Sequence, residues 1–217
     1  MKFLGNSASE DYKSKLEDLI EIMKISGFLT DSNVESAIKK VLRHNFVPKN
    51  QQNIAYDNSP IPIFENQTIS QPSVVARMTE WLDVKENQKI LEIGSGSGWQ
   101  SAILSILVSR GKILTIERHK KLADFAKANL EKMGIKNVTI IHGDGNLGLP
   151  EEAPFDRIMI TAACKTIPPT LLEQLKIGGL LIAPVGEKTQ SLILLKKTPE
   201  GFEELKNQEG YIFVPLI

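Results

Sequence analysis

Three acidic residues and a run of glycines carry the first chemical signal. In LEIGSGSGW, residues 91–99, an apolar run ends at Ile93, and Gly94, Gly96 and Gly98 follow at alternate positions. Without Cβ atoms the backbone can turn sharply, and a ligand can approach the peptide groups closely. Trp99 stands where a G-x-G-x-x-G fingerprint has its third glycine, which argues against a dinucleotide pyrophosphate. Glu92 shares a strand face with Gly94. It suits a cationic amino group, directly or through water; the alternative is a carboxylate that orders the turn by accepting local N–H bonds. Glu117 ends a second apolar run, where such folds grip a ribose diol with two hydrogen bonds. Asp144, in HGDG, ends a third, with an adenine amino group in reach. The three acids describe a ligand with an amine, a ribose and an adenine but no phosphate. S-adenosylmethionine has those parts.

Elements of alternating type must position these groups. Residues 10–27 place Leu16, Leu19, Ile20 and Met23 at helical spacing, with Gly27 as a stop. A capping box from Ser32 to Glu35 opens a second helix with Val34, Ala37, Ile38, Val41 and Leu42 on one face. Residues 46–69 hold Pro48, Pro60 and Pro62 and little periodicity, which predicts a long irregular connection of the kind that carries function. A helix follows Pro72. Strands are expected at 89–93, 113–117, 138–142, 157–161, 180–185 and 191–196, and helices at 99–109, 122–133 and 170–175. Residues 211–217 read as a last strand, with Pro215 near its end or on an edge. The alternation implies an α/β fold: a mostly parallel sheet with helices on both faces and an N-terminal helical extension that packs on the sheet or covers its site. No linker divides the chain. Residues 1–217 are expected to form one domain, with 1–72 as helices and substrate loop and 73–217 as the cofactor-binding core.

The totals bound the partners. Basic and acidic side chains number 26 each, so nothing pulls the chain toward nucleic acid or an anionic membrane at long range. The Lys39-Lys40-Arg43 and Arg118-His119-Lys120-Lys121 clusters read as solvated helix faces. No apolar run reaches bilayer length, and the opening MKFLGNSASEDYK lacks a signal peptide's apolar core. The expectation is a soluble cytoplasmic monomer with no membrane or nucleic-acid partner. The single cysteine, Cys164, excludes an internal disulfide and has no evident partner to stabilise a thiolate. His44 and His119 read as exposed helix-end residues and His142 as structural. No His/Cys/Asp cluster has ligand spacing, so no metal is expected.

The stretches YDNSP, QTISQP, VARMTEWL, ILEIGSGSGWQSAIL, NVTIIHGDG, APFDRIMITAA, LKIGGLLIAPVG and FVPL occur in that order. Together they resemble the protein-L-isoaspartate (D-aspartate) O-methyltransferase family from about Phe46 to the last residue. The resemblance implies a Rossmann-like class I S-adenosylmethionine-dependent methyltransferase, with S-adenosylhomocysteine as product. Its substrates would be damaged peptides and proteins bearing L-isoaspartyl, or D-aspartyl, residues. Esterification of the free α-carboxylate makes a better leaving group, a succinimide re-forms, and its hydrolysis returns some normal aspartate. The resemblance matches the active-site serine to Ser70 and the loop against cofactor and substrate to Thr68 and Ile69. It matches the cofactor turn to Glu92, Gly94, Ser95, Gly96 and Gly98, the ribose acid to Glu117, and the adenine side to Asp144 and Gly145. The chain departs from the family's P-I-G-x-G-Q-T-I-S pattern, with Phe64 and Asn66 in place of the two glycines. Asn66 tolerates a positive φ more easily than Phe64.

Methyl transfer from a sulfonium gives a general base nothing to remove. The thioether leaves neutral, and the attacking carboxylate, with a pKa of about 3.5–4, is already ionised at pH 7. Ser70 is therefore expected to orient and to move no proton, its alternative being a helix N-cap before Pro72. Placing a substrate carboxylate beside Glu92 or Glu117 would be costly. Backbone N–H groups around Ala162, Ala163 and Val214 are the expected hosts. The rivals are a small-molecule O-methyltransferase, a nucleic-acid or amine methyltransferase, and a cofactor-binding homologue without turnover.

Overall fold

The computed structural model describes residues 4–217, with side chains from Glu10 onward. The first three residues of the opening segment, and so the start of the span 1–72, lie outside the described residues. Helix α1 (Leu4–Ile25) buries Leu16, Leu19, Ile20 and Met23, and burial of each such side chain contributes about 1.5–3 kcal/mol. Gly27, at φ 70°, terminates it in a conformation that costs glycine least. Helix α2 (Ser32–Lys40) buries Val34, Ala37 and Ile38. Its cap differs from the expected Ser32–Glu35 box. Asp31 Oδ1 accepts the N–H groups of Asn33 at 2.6 Å and Val34 at 3.3 Å, a charged acceptor in place of a hydroxyl. Glu35 turns instead to Lys24 at 3.0 Å and Lys39 at 2.9 Å.

The irregular connection contains two 3-10 turns, Arg43–Phe46 and Lys49–Ile54, and a short antiparallel hairpin. The hairpin pairs β1 (Ile61–Pro62) with β2 (Thr68–Ile69). Its turn puts Glu65 and Asn66 at φ 58° and 56°. Phe64 escapes that demand and sets its ring against the edge of Phe125, centroids 5.0 Å apart, with Lys121 Nζ 4.7 Å from its centre. Helix α3 (Pro72–Leu82) follows, with proline in its first turn, where a missing N–H costs nothing.

A seven-stranded sheet holds the rest: β3 (Lys89–Ile93), β4 (Lys112–Glu117), β5 (Val138–His142), β6 (Phe155–Ile160), β7 (Leu175–Val185), β8 (Gln190–Thr198) and β9 (Gly201–Tyr211). Helices α4 (Trp99–Leu107), α5 (Lys120–Lys132) and α6 (Pro169–Glu173) connect its parallel part. The spatial order is β5-β4-β3-β6-β7-β8-β9. Strands β3 to β7 pair in parallel; β8 and β9 add antiparallel. Strand β3 is buried on both faces: Ile90 packs against α3 and α4 on one side, and Leu91 and Ile93 share a core with Leu149 and with Leu171 of α6 on the other. Chain order reverses beside β3, so the crevice at the carboxyl ends of β3 and β4 is where such a sheet binds ligands.

The N-terminal helices pack on the sheet domain chiefly through helix α4. Leu16, Leu19, Val34 and Ile38 share one core with Trp99, Ala102 and Ile103 of α4. The last strand is a correction. Strand β9 spans Gly201–Tyr211, whose residues are mostly polar because they form an exposed sheet edge. The expected strand at 211–217 leaves the sheet after Tyr211. Pro215 has no N–H to give a ladder and keeps one parallel bridge, to Ala163.

Candidate active site

Local hydrogen bonds fix the glycine turn between β3 and α4. Gly94 N–H donates to the Ile116 carbonyl at 2.8 Å and Gly98 N–H to the Ser95 carbonyl at 2.7 Å. Asn129 Nδ2 donates to the Ser97 carbonyl at 2.9 Å. Gly94 sits at φ 93°, and a Cβ there would collide with Thr161 Oγ1, whose hydroxyl donates to the Gly94 carbonyl at 2.7 Å. Glu117 reaches across from β4: Oε2 accepts Gly96 N–H and Oε1 accepts His119 N–H, both at 2.9 Å. Ordering the turn is thus the work of Glu117.

Glu92 stands behind the turn. It is fully buried, and the Ser101 hydroxyl donates to its Oε2. Burial pushes its pKa up from 4.5 to about 7, with the Glu117 charge adding to the rise and the Ser101 hydrogen bond opposing it. Its Oε1 has no hydrogen-bond partner among the described residues.

A cavity of about 450 Å³ opens in front of the turn, within the range of small-molecule sites. Thr68, Ile69 and Ser70 form one wall, and Gly94, Ser95, Gly96 and Glu117 another. Gly145 and Ala162 contribute to it, and residues 208–217, with Val214, close its outer side. Ser70 Oγ donates to and accepts from no described residue, whereas the Ser70 carbonyl is held by Arg43 at 2.9 Å. The Ser95 hydroxyl is buried and also has no partner among the described residues. Ser70 is not the helix cap: Gln71 holds that position, and Asn58 Oδ1 accepts Ser73 N–H at 3.1 Å.

Four expected residues are not on the wall. Glu92 offers no direct contact because its side chain points behind the turn toward Ser101. Gly98 faces Ala126, where a Cβ would come within 3.2 Å, so its glycine permits α4–α5 packing. Asp144 is exposed and caps the next turn, Oδ1 accepting Asn146 N–H at 2.9 Å; that bond, with Arg118 nearby, lowers its pKa. Ala163 gives its N–H to the Val214 carbonyl and accepts Leu216 N–H, each at 2.7 Å, so its amide is not free for a substrate. The N–H groups of Ala162 and Val214 meet no protein acceptor among the described residues.

Other side chains fall differently from their sequence reading. His44 is half-buried, not an exposed helix end; it stacks on Tyr12 at 4.1 Å and lies 2.8 Å from the Tyr56 hydroxyl, and burial lowers its pKa. His119 is half-buried on the cavity wall. His142 Nε2 lies 3.0 Å from the Arg118 carbonyl. Cys164 is buried, which raises its thiol to about 11 and makes a thiolate nucleophile unfavourable. Arg43, grouped with Lys39 and Lys40 as a solvated face, is 1% exposed. Thr161 and Gln71 also line the cavity; they lie within the stretches APFDRIMITAA and QTISQP, but neither was expected to have a role in the site.

A family model described as protein-L-isoaspartate(D-aspartate) O-methyltransferase matches residues 14–217. The chain belongs to this family. A protein-L-isoaspartate O-methyltransferase of Methanococcoides burtonii is 46% identical over 200 residues, 92% of this chain and 98% of its own length. A solved protein-L-isoaspartate O-methyltransferase aligns with a TM-score of 0.81 at 30% identity, over 92% of this chain; the chain spans 65% of that protein. A structure from Plasmodium falciparum, described as such an enzyme in complex with S-adenosyl-L-homocysteine, aligns with a TM-score of 0.82 at 27% identity, over 95% of this chain and 98% of that one. Membership makes this chain an isoaspartate-repair methyltransferase with a class I Rossmann-like, S-adenosylmethionine-binding fold.

Proposed function

We propose that the cavity binds S-adenosylmethionine along the glycine turn and receives the α-carboxylate of an isoaspartyl residue on the Ser70 side. The observation that carries this reading is one cavity lined both by Ser70, whose hydroxyl has no partner among the described residues, and by the turn with Glu117. The residues fit the cofactor. The buried Ser95 hydroxyl, without a partner among the described residues, and the close backbone approach at Gly94 suit a polar ligand pressed against the turn. Each Glu117 oxygen holds one N–H and retains lone-pair capacity for a ribose hydroxyl. Gly145, on the cavity wall, borders the adenine, while Asp144 stays off the wall and shapes the turn that carries Gly145. Glu92 supports the turn from behind, by accepting the Ser101 hydroxyl of α4.

When bound, S-adenosylmethionine supplies an electrophilic methyl group on a positively charged sulfur. The protein's contribution is placement. Ser70 Oγ donates a hydrogen bond to one carboxylate oxygen and holds the other in line for attack. The free N–H groups of Ala162 and Val214 bind the peptide's own polar groups. No proton leaves the acceptor, so His119 on the wall needs no role as a base. Orientation of this kind supplies at most about 7–11 kcal/mol. The methyl ester then closes to a succinimide outside the site. A cytoplasmic setting belongs to the same proposal, since a lone buried thiol suits a reducing compartment.

The test uses labelled methyl donor with an isoaspartyl peptide, its normal aspartyl twin and RNA. Base-labile label is expected on the first alone; label on the twin or on RNA overturns the substrate assignment. With Ser70→Ala, turnover is expected to fall about 10-fold to 100-fold while the fold persists. Unchanged turnover and peptide affinity would remove Ser70 from the mechanism.

A further inference from the structure

Arg43 lies outside the cavity, yet its guanidinium holds the Ser70 side of the site by its backbone and lies over the ring of Trp99, next to the glycine turn. Nη1 donates to the Ala55 carbonyl at 2.7 Å and the Asp57 carbonyl at 3.2 Å. Nη2 donates to the Ser59 carbonyl at 3.0 Å and the Ser70 carbonyl at 2.9 Å. The same group lies 5.2 Å from the ring centre of Trp99, the first residue of α4 after the glycine turn. Trp99 Nε1 in turn donates to the Val41 carbonyl at 3.0 Å, two residues before Arg43. One planar cation therefore joins the connection at 55–59, the peptide of Ser70 and the helix that carries the cofactor turn.

We propose that Arg43 is a positioning residue for methyl transfer: it fixes the Ser70 peptide against Trp99 and so sets the separation between the Ser70 hydroxyl and the glycine turn. The inference rests on the orienting role assigned to Ser70 above. A purely space-filling role would be served better by an apolar side chain, because burying a cation is costly. Here the cation is solvated by main-chain carbonyls and by no carboxylate among its hydrogen-bond partners. What it gains is fixed placement of those carbonyls, Ser70's among them. Lysine keeps the charge but is a point donor on a flexible stem, without the fork that reaches several carbonyls at once. A displacement of about 1 Å costs on the order of 100-fold in an in-line reaction.

The experiment compares wild type, Arg43→Lys, Ser70→Ala and the double variant, each checked for folding by circular dichroism and thermal melting. Arg43→Lys is expected to lower kcat by about 10-fold to 100-fold at saturating substrates. Its affinity for S-adenosylhomocysteine, measured by calorimetry, is expected to stay within about threefold of wild type, and the double variant within about threefold of Ser70→Ala. Three results would overturn the inference: a folded Arg43→Lys with kcat within about twofold of wild type, a parallel loss of S-adenosylhomocysteine affinity, or the same fold-loss from Arg43→Lys in the Ser70→Ala background. Should Arg43→Lys fail to fold, Arg43→Gln takes its place under the same criteria. If neither folds, Arg43 is a folding determinant and the positioning role falls. An inert Ser70→Ala sinks the Ser70 assignment by itself, whereas an impaired Ser70→Ala beside an unaffected Arg43→Lys sinks only the role of Arg43.

Discussion

The substitution Glu92→Gln should make the cofactor-free protein more stable in base and leave it little changed in acid. Glu92 is fully buried, and its pKa rises from 4.5 to about 7 chiefly through burial. The folded state therefore holds this proton over a range in which the unfolded chain has released it. The linked stability is fully present below pH 4.5 and is lost as the pH rises through 7. At 1.36 kcal/mol per unit the whole span is worth about 3 kcal/mol, and roughly 2–3 kcal/mol of it is lost between pH 5 and pH 8. The glutamine amide does not titrate and can still meet the Ser101 hydroxyl. The stability gap, variant minus wild type, should widen by that amount across the interval, or by about 5–10 °C in melting temperature for a chain of this size. Urea unfolding at pH 5, 6, 7 and 8 without ligand measures it. A gap constant within about 0.5 kcal/mol would mean that Glu92 does not change charge there, and that water or a relaxed backbone reaches a carboxylate placed here in a dry interior.

Two other substitutions probe the glycine turn and the hairpin. Gly94→Ala adds a Cβ at φ 93° against Thr161 Oγ1, which should cost about 1–3 kcal/mol in strain and abolish measurable S-adenosylhomocysteine binding by calorimetry. Retained affinity would show that the turn has slack. Phe64→Ala removes the ring that meets Phe125 and Lys121, worth about 1–2 kcal/mol. Amide exchange at Ile63 and Gln67, whose N–H groups close the hairpin turn, should accelerate about tenfold while the global melting temperature moves little. Unchanged exchange would mean that the hairpin is held elsewhere.

Legibility followed the range of the forces involved. Strands β3 and β5 lie where the apolar runs put them, and the glycine turn is local, so a short window contained its rule. Gly96 and Glu117 reach the cavity because the ends of the adjacent parallel strands β3 and β4 meet there, whereas Thr68 and Ser70 arrive on the separate hairpin and its exit. Strand alternation alone did not tell which acid faces the ligand: α4 packs over Glu92 and draws it to Ser101, and β4 delivers Glu117 instead. Ala163 lost its amide to Val214, a partner supplied by the returning tail and invisible to any local pattern. Strand β9 was missed because an edge exposed to water needs no apolar alternation. Arg43 looked like a surface charge beside two lysines, and only the carbonyls gathered from residues 55–70 make it an interior one.

The outer wall formed by residues 208–217 has a consequence for how the enzyme comes into being. A nascent chain can complete its glycine turn once Asn129 and Thr161 have left the ribosome, but the pocket stays a trough until residues 208–217 have followed and found Ala163. Ligand affinity should therefore arrive late and in one step, as the chain threads back across the sheet it has already built. A half-made enzyme of this kind has nowhere to keep its methyl donor.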